Sequence, residues 1–111
     1  LDVGRLNAAV RQAAGKGEDW VRDAVLVALR FTGTGLKGHT KIIRVHTPPE
    51  RRDAAVITVS ESGYLDDATG GERWRLWLKK APDGTWIIRR ALWAWLCERP
   101  GHRFYSAEPC P

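Results

Sequence analysis

Between Arg73 and Trp95 the chain repeatedly sets tryptophan beside arginine: Arg73-Trp74-Arg75, Trp77, Arg89-Arg90, Trp93 and Trp95. Alternate residues of a strand share a face, so this spacing can place guanidinium groups over indole rings. Tryptophan and arginine are also the residue types most enriched at protein–protein hot spots. The chemistry offered is recognition, and Arg73, Arg75, Trp77, Arg89, Trp93 and Trp95 are the candidate binding residues.

Residues that could support catalysis are sparser. Asp66 and Asp67, with Glu61 or Glu72, invite an acid/base or calcium role, but the alternating acidic pattern of an EF-hand loop is missing. Adjacent aspartates in a glycine-bounded loop are usually turn formers. His39, His46 and His102 fall in a loop, at a strand end and in the tail, and no pair has the i, i+4 spacing of a helical metal site. No serine lies in a Gly-x-Ser-x-Gly elbow. Gly33-Thr34-Gly35 follows a helix instead of opening one, so it makes no phosphate loop. These residues point to no catalytic group, metal site or cofactor.

The elements that must position the tryptophans and arginines are two strand-like runs joined by Ala81-Pro82-Asp83-Gly84-Thr85. Pro82 presets φ for a type I turn, and Gly84 suits the left-handed position that closes it as a hairpin. With Ala81 facing Thr85, Leu78 faces Ile88, Leu76 faces Arg90 and Trp74 faces Leu92 on an apolar side. Trp77 then faces Arg89, Arg75 faces Ala91 and Arg73 faces Trp93 on a polar side. Arg90 is the misfit, because this register aims it at the core. Either a β-bulge after Arg89 sends both arginines outward, or Arg90 pairs with Asp23, Asp66 or Asp67 near the mouth of the sheet, as a buried structural ion pair or as the lining of a pocket that accepts an anion.

Upstream, Leu6, Val10 and Ala13 predict a thin-striped helix from Asp2 to Ala14, stopped by Gly15-Lys16-Gly17. After a cap at Glu18-Asp19, the breadth of the apolar face from Trp20 to about Phe31 predicts a helix buried against a sheet. Lys41–His46 and Ala54–Ser60 read as strands, with Ala55, Ile57 and Val59 pointing inward. After Cys97 the tail shows no periodicity and reads as extended.

Four strands with such short linkers must pair antiparallel. The expected fold is α+β: two N-terminal helices packed on a four-stranded antiparallel β-meander. One domain is expected over 1–111, with 1–17 a peripheral helix, 18–97 the helix plus sheet, and 98–111 a tail. This element order, with the Asp83-Gly84-Thr85-Trp86-Ile87 entry to a late strand, resembles the cystatin-like and NTF2-like families, in which a curved sheet wraps a helix. The tail, with its Arg-Pro-Gly-His segment and closing Cys110, looks like small exported bacterial domains. The resemblance implies a two-layer domain. It leaves open an NTF2-like enzyme or small-ligand binder with a pocket between helix and sheet, using Arg90 with Asp66 or Asp67.

The net charge of +5 permits a polyanionic partner without selecting one. Glu72 and Glu98 dilute the field, and no RRM-type or KH-type motif is present, which argues against nucleic acid. No stretch approaches the roughly 20 apolar residues of a membrane span. Cys97 and Cys110 are expected to form a disulfide that ties down the tail, a closure that stabilises by roughly 3 kcal/mol. Such a bond implies an oxidising compartment, whether secreted, periplasmic or cell envelope. The absence of methionine and of an apolar h-region is explained by a signal peptide removed ahead of Leu1 or equally by trimming. The expected function is non-catalytic: binding an unidentified protein or small ligand, or forming a homodimer, through the Trp/Arg face.

Overall fold

A computed structural model describes residues 1–33, 35–36, 38–64, 69–99 and 102–110. The chain is α+β. Helices α1 (Gly4–Gly15) and α2 (Ala24–Thr32) precede strands β1 (Thr40–His46), β2 (Ala54–Ser62), β3 (Thr69–Lys80), β4 (Trp86–Arg99) and β5 (His102–Ser106). The strands form one sheet in the order β1-β2-β3-β4-β5, and every neighbouring pair is antiparallel.

The fifth strand corrects the four-strand expectation. The tail folds back so that Cys97 pairs with Phe104 and Leu96 with Tyr105. The Cys97–Cys110 disulfide anchors that return. Residues 102–105 are all exposed, so β5 carries no alternation of buried and open positions from which a strand could be inferred.

The β3–β4 hairpin forms as its turn chemistry requires. The Ala81 N–H donates to the Thr85 carbonyl at 2.7 Å and the Gly84 N–H to the Ala81 carbonyl at 2.9 Å, with Gly84 at φ +90°. The Asp83 carboxylate accepts from the Thr85 N–H (3.1 Å) and hydroxyl (2.7 Å). These bonds hold the Asp83 carboxyl below its ordinary pKa of 3.8, the hydroxyl contributing most.

Counting outward from the turn, the regular register lasts only to Leu78–Ile88. A β-bulge follows, and Trp77 pairs with Arg90. Arg89 is the extra residue, and both arginines are exposed. Its cause is the cost of burying an unpaired guanidinium, which a local kink avoids. Every later β4 residue therefore changes face: Leu76 pairs with Ala91, Arg75 with Leu92, Trp74 with Trp93 and Arg73 with Ala94. The expected partners of Leu76, Trp77, Arg75, Trp74 and Arg73 are each corrected by one residue.

The core lies between the helices and one face of the sheet. Ala55, Ile57 and Val59 of β2 point inward as expected, joined by Leu76, Leu78, Ile88 and Ala91. From the helices come Val10, Ala13, Val27 and Ala28, with Val21 from the short 3-10 turn Asp19–Arg22. Burying each large aliphatic side chain here stabilises by roughly 1.5–3 kcal/mol. That turn and Asp23 split the long helix expected from Trp20. Asp23 is extended and caps α2, accepting from the Val25 N–H at 2.9 Å and the Leu26 N–H at 3.2 Å.

The first helix is not peripheral. Val10 is fully buried, and the Asn7 side chain grips the backbone of Ile88 in both directions. Its Nδ2 donates to the Ile88 carbonyl at 2.8 Å, and its Oδ1 accepts from the Ile88 N–H at 2.9 Å. Among the described residues strand β5 pairs with Trp95–Arg99, and α1 covers part of the β4 edge beyond them. This attachment uses an amide on a backbone and leaves little trace in apolar periodicity.

Candidate functional site

On the face away from the core, the register builds rows across the sheet. Arg44 of β1 lies opposite Thr58 of β2, Thr58 opposite Arg75 of β3, and Arg75 opposite Leu92 of β4. On one side of this row stand His46, Val56, Trp77 and Arg90, and on the other Ile42, Ser60, Arg73 and Ala94. Tyr105 of β5 follows beside Leu96. Paired residues share a face, so this outer face mixes arginines with apolar and hydroxyl groups. Ile42, Leu92 and Tyr105 are exposed by 46%, 46% and 42%.

Two contacts order the face. The Arg90 guanidinium lies 5.0 Å from the centre of the Trp77 ring, and that of Arg73 lies 4.0 Å from the Tyr105 ring. Arg73 Nε also donates to the Ser60 hydroxyl at 3.3 Å. Among the described residues the ion pair on this face joins Arg103 to Glu98 at 3.1 Å, and Arg44, Arg73, Arg75 and Arg90 form none. The expected pairs were Trp77–Arg89 and Arg73–Trp93. Arg90 and Tyr105 take those places because the bulge and the fifth strand supply them.

Of the candidate binding residues, Arg73, Arg75, Trp77 and Arg89 keep to the outer face, Arg89 at its rim beside Ala54, Lys79 and Pro48. Trp93 and Trp95 do not. The bulge turns them to the core face, where their rings meet edge-on at 4.4 Å and Trp93 packs against the core. Arg90, the candidate pocket residue, is exposed on the outer face. Its candidate partners Asp66 and Asp67 lie outside the described residues. Ile42, Arg44, Thr58, Leu92 and Tyr105 escaped sequence reasoning. The alternation of Arg44 and His46 with Ile43 and Val45 in β1 was a usable signal for Arg44, and the disulfide was one for Tyr105.

The core face carries its own polar group at the end nearer the β2–β3 connection. Glu61 and Glu72 are directly opposed across β2 and β3, and they are only 3% and 7% exposed. The Tyr64 hydroxyl donates to Glu61 at 3.1 Å, and Trp93 Nε1 donates to Glu72 at 3.2 Å. Burial, the Glu72 charge and the bond to Glu61 together push the Tyr64 phenol well above its ordinary 10.0. Tyr64 stays protonated and donates into this buried carboxylate pair. Among the described residues no group of His, Cys, Asp and Glu could hold a metal ion. No helix there is long and apolar enough to cross a membrane.

Several depressions mark the outer face, and two of them adjoin at Arg73 and Arg75. One of about 390 Å³ lies over Thr58 and Ser60 between Arg44, Arg73 and Arg75. A second of about 320 Å³ shares Arg73, Arg75 and Tyr105 and is otherwise lined by apolar groups such as Leu92 and Ala94. Comparison with protein-family models, curated proteins and solved structures finds no match for this chain.

Proposed function

We propose that this chain is an exported, non-catalytic binding domain that docks an acidic protein surface on the outer face of its sheet. The observation that supports this is the set Arg44, Arg73, Arg75 and Arg90, unpaired with any carboxylate among the described residues and interleaved with exposed Ile42, Leu92 and Tyr105. Arginine beside apolar and aromatic groups is the composition of an interface core. Charge decides the partner's character. A second copy laid face to face would oppose arginine with arginine, whereas an acidic surface gains both steering and contact. Export is supported by the Cys97–Cys110 disulfide, since such bonds persist in oxidising compartments.

The fold is read as the two-layer arrangement of the cystatin-like and NTF2-like families, with the helices against one sheet face. A pocket between those layers, as an enzyme of that kind would need, is disfavoured by what fills the space. Val10, Val27, Ile57, Leu76 and Ile88 are all fully buried there.

Poly-L-glutamate serves as the acidic probe, with binding followed by fluorescence anisotropy at several salt concentrations. Arg75→Gln with Arg90→Gln should weaken binding by about tenfold or more, and the affinity of the parent should fall as salt rises. Arg5→Gln with Arg11→Gln, exposed on α1, removes equal charge and should change affinity by less than about twofold. Equal losses in the two variants would mean that only net charge is being read and would overturn the docking face.

A further inference from the structure

The outer face does more than present charge. We infer that it holds an oxyanion site, formed by Arg44, Arg73 and Arg75 around Thr58 and Ser60, for a phosphate or sulfate monoester that carries an apolar group. The site rests on the outer face being the binding surface and names the chemical group that anchors a ligand there.

The register makes the site. Arg44 and Arg75 flank Thr58 from opposite sides, and Arg73 stands opposite Ser60. Neighbouring strands lie about 4.8 Å apart, so the Arg44 and Arg75 backbones are roughly 10 Å apart across Thr58. Arg73 and Arg75, two residues apart on β3, are about 7 Å apart. Three long side chains thus rise around two hydroxyls, over the depression of about 390 Å³. A planar guanidinium gives two parallel N–H donors to a tetrahedral oxyanion, and serine and threonine hydroxyls give one each. Glu61 also borders this region, but Glu61 belongs to the core face, where its carboxylate accepts from Tyr64, so it does not cancel the arginines.

Preorganisation separates this site from an ordinary basic patch. Arg73 is fixed twice, by Nε on the Ser60 hydroxyl at 3.3 Å and by its stack over Tyr105 at 4.0 Å. A ligand therefore meets one guanidinium already ordered, which lowers the entropy lost on binding. The ligand's second property follows from the adjoining depression. It shares Arg73, Arg75 and Tyr105 with the first and continues over Leu92, Ala94 and Ala107. A bare anion fills only the polar half. An aryl or alkyl monoester fills both, its charged head on the arginines and its body on exposed Leu92.

Isothermal titration calorimetry at fixed ionic strength tests this with inorganic phosphate, phenyl phosphate, phenyl sulfate and benzoate. Phenyl phosphate or phenyl sulfate should bind about tenfold tighter than inorganic phosphate and than benzoate, and the preference between the two esters identifies the natural head group. Arg44→Gln and Arg75→Gln, both exposed and so expected to fold, should each weaken the monoester by about tenfold. Leu92→Ser should remove the gain of the phenyl ester over inorganic phosphate and leave phosphate affinity unchanged. Monoester affinity that survives both arginine substitutions overturns the site. Absence of monoester binding while poly-glutamate still binds the outer face overturns the site alone, and loss of both probes overturns the docking face with it.

Discussion

Trp77 and Trp93 were indistinguishable as letters: each lies on the hairpin, near an arginine, in a run of alternating residues. Their environments are opposite. Trp77 lies on the outer face under Arg90, and Trp93 packs against the core with its indole bonded to buried Glu72. Chemical denaturation should separate them. Trp93→Ala is expected to destabilise by about 2–4 kcal/mol through lost packing and the lost indole bond to Glu72. Trp77→Ala is expected to change stability by less than about 1 kcal/mol. Equal effects would mean that the faces of β4 are misassigned. Tyr64 gives a second test at this scale. Its phenol is raised above 10.0 in the folded chain, so its contribution to stability is complete below pH 10 and is lost as pH climbs through the folded value. Ultraviolet titration of the phenolate, with Tyr64→Phe as the difference control, should show this tyrosine ionising only above pH 10. Ionisation at or below that point would remove the buried network from the account.

At the scale of elements, what could be read from residues alone was what local chemistry settles. The hairpin turn follows from Pro82, Asp83 and Gly84, and the inside of β2 follows from Ala55, Ile57 and Val59. The bulge could be posed as an alternative but not chosen, because choosing it requires knowing that the space facing Arg90 is filled with aliphatic side chains. The break before α2 depends on whether Asp23 caps a new helix or continues an old one, and both are compatible with its apolar neighbours. The bulge makes a definite prediction. Deleting Arg89 removes the extra residue and leaves Trp77–Arg90, Leu76–Ala91 and all later pairs to β3 in place. The deletion variant should fold, with tryptophan emission close to the parent. By contrast, Gly71→Ala should destabilise by about 2–3 kcal/mol or more, because a Cβ there would meet the Glu61 carbonyl oxygen 1.8 Å away. Failure of the deletion to fold would show that the bulge is itself needed for packing.

Across the whole molecule the two sides of the sheet divide the work. The helices, α1 included, cover the core face over β2, β3 and β4 and part of the β4 edge, leave Ile43 and Val45 of β1 exposed, and do not reach the outer face. Position on the chain hides this division: Ile42, Arg44, Thr58, Leu92 and Tyr105 come from four strands and meet only through the register. The candidate site was therefore half legible. Its β3 residues stood out as a Trp/Arg pattern, while its β1 and β5 residues needed the sheet order and the disulfide to bring them in. What the assembled face offers is four arginines, Arg44, Arg73, Arg75 and Arg90, that form no ion pair among the described residues, beside exposed apolar groups.

The most direct measurement is an amide chemical-shift map of the isotopically labelled chain titrated with poly-L-glutamate at low salt. The docking face predicts shifts concentrated on Arg44, Thr58, Ser60, Arg73, Arg75, Arg90, Leu92 and Tyr105, with α1 and α2 quiet. Shifts centred on the helices, or spread evenly over every exposed lysine and arginine, would contradict it.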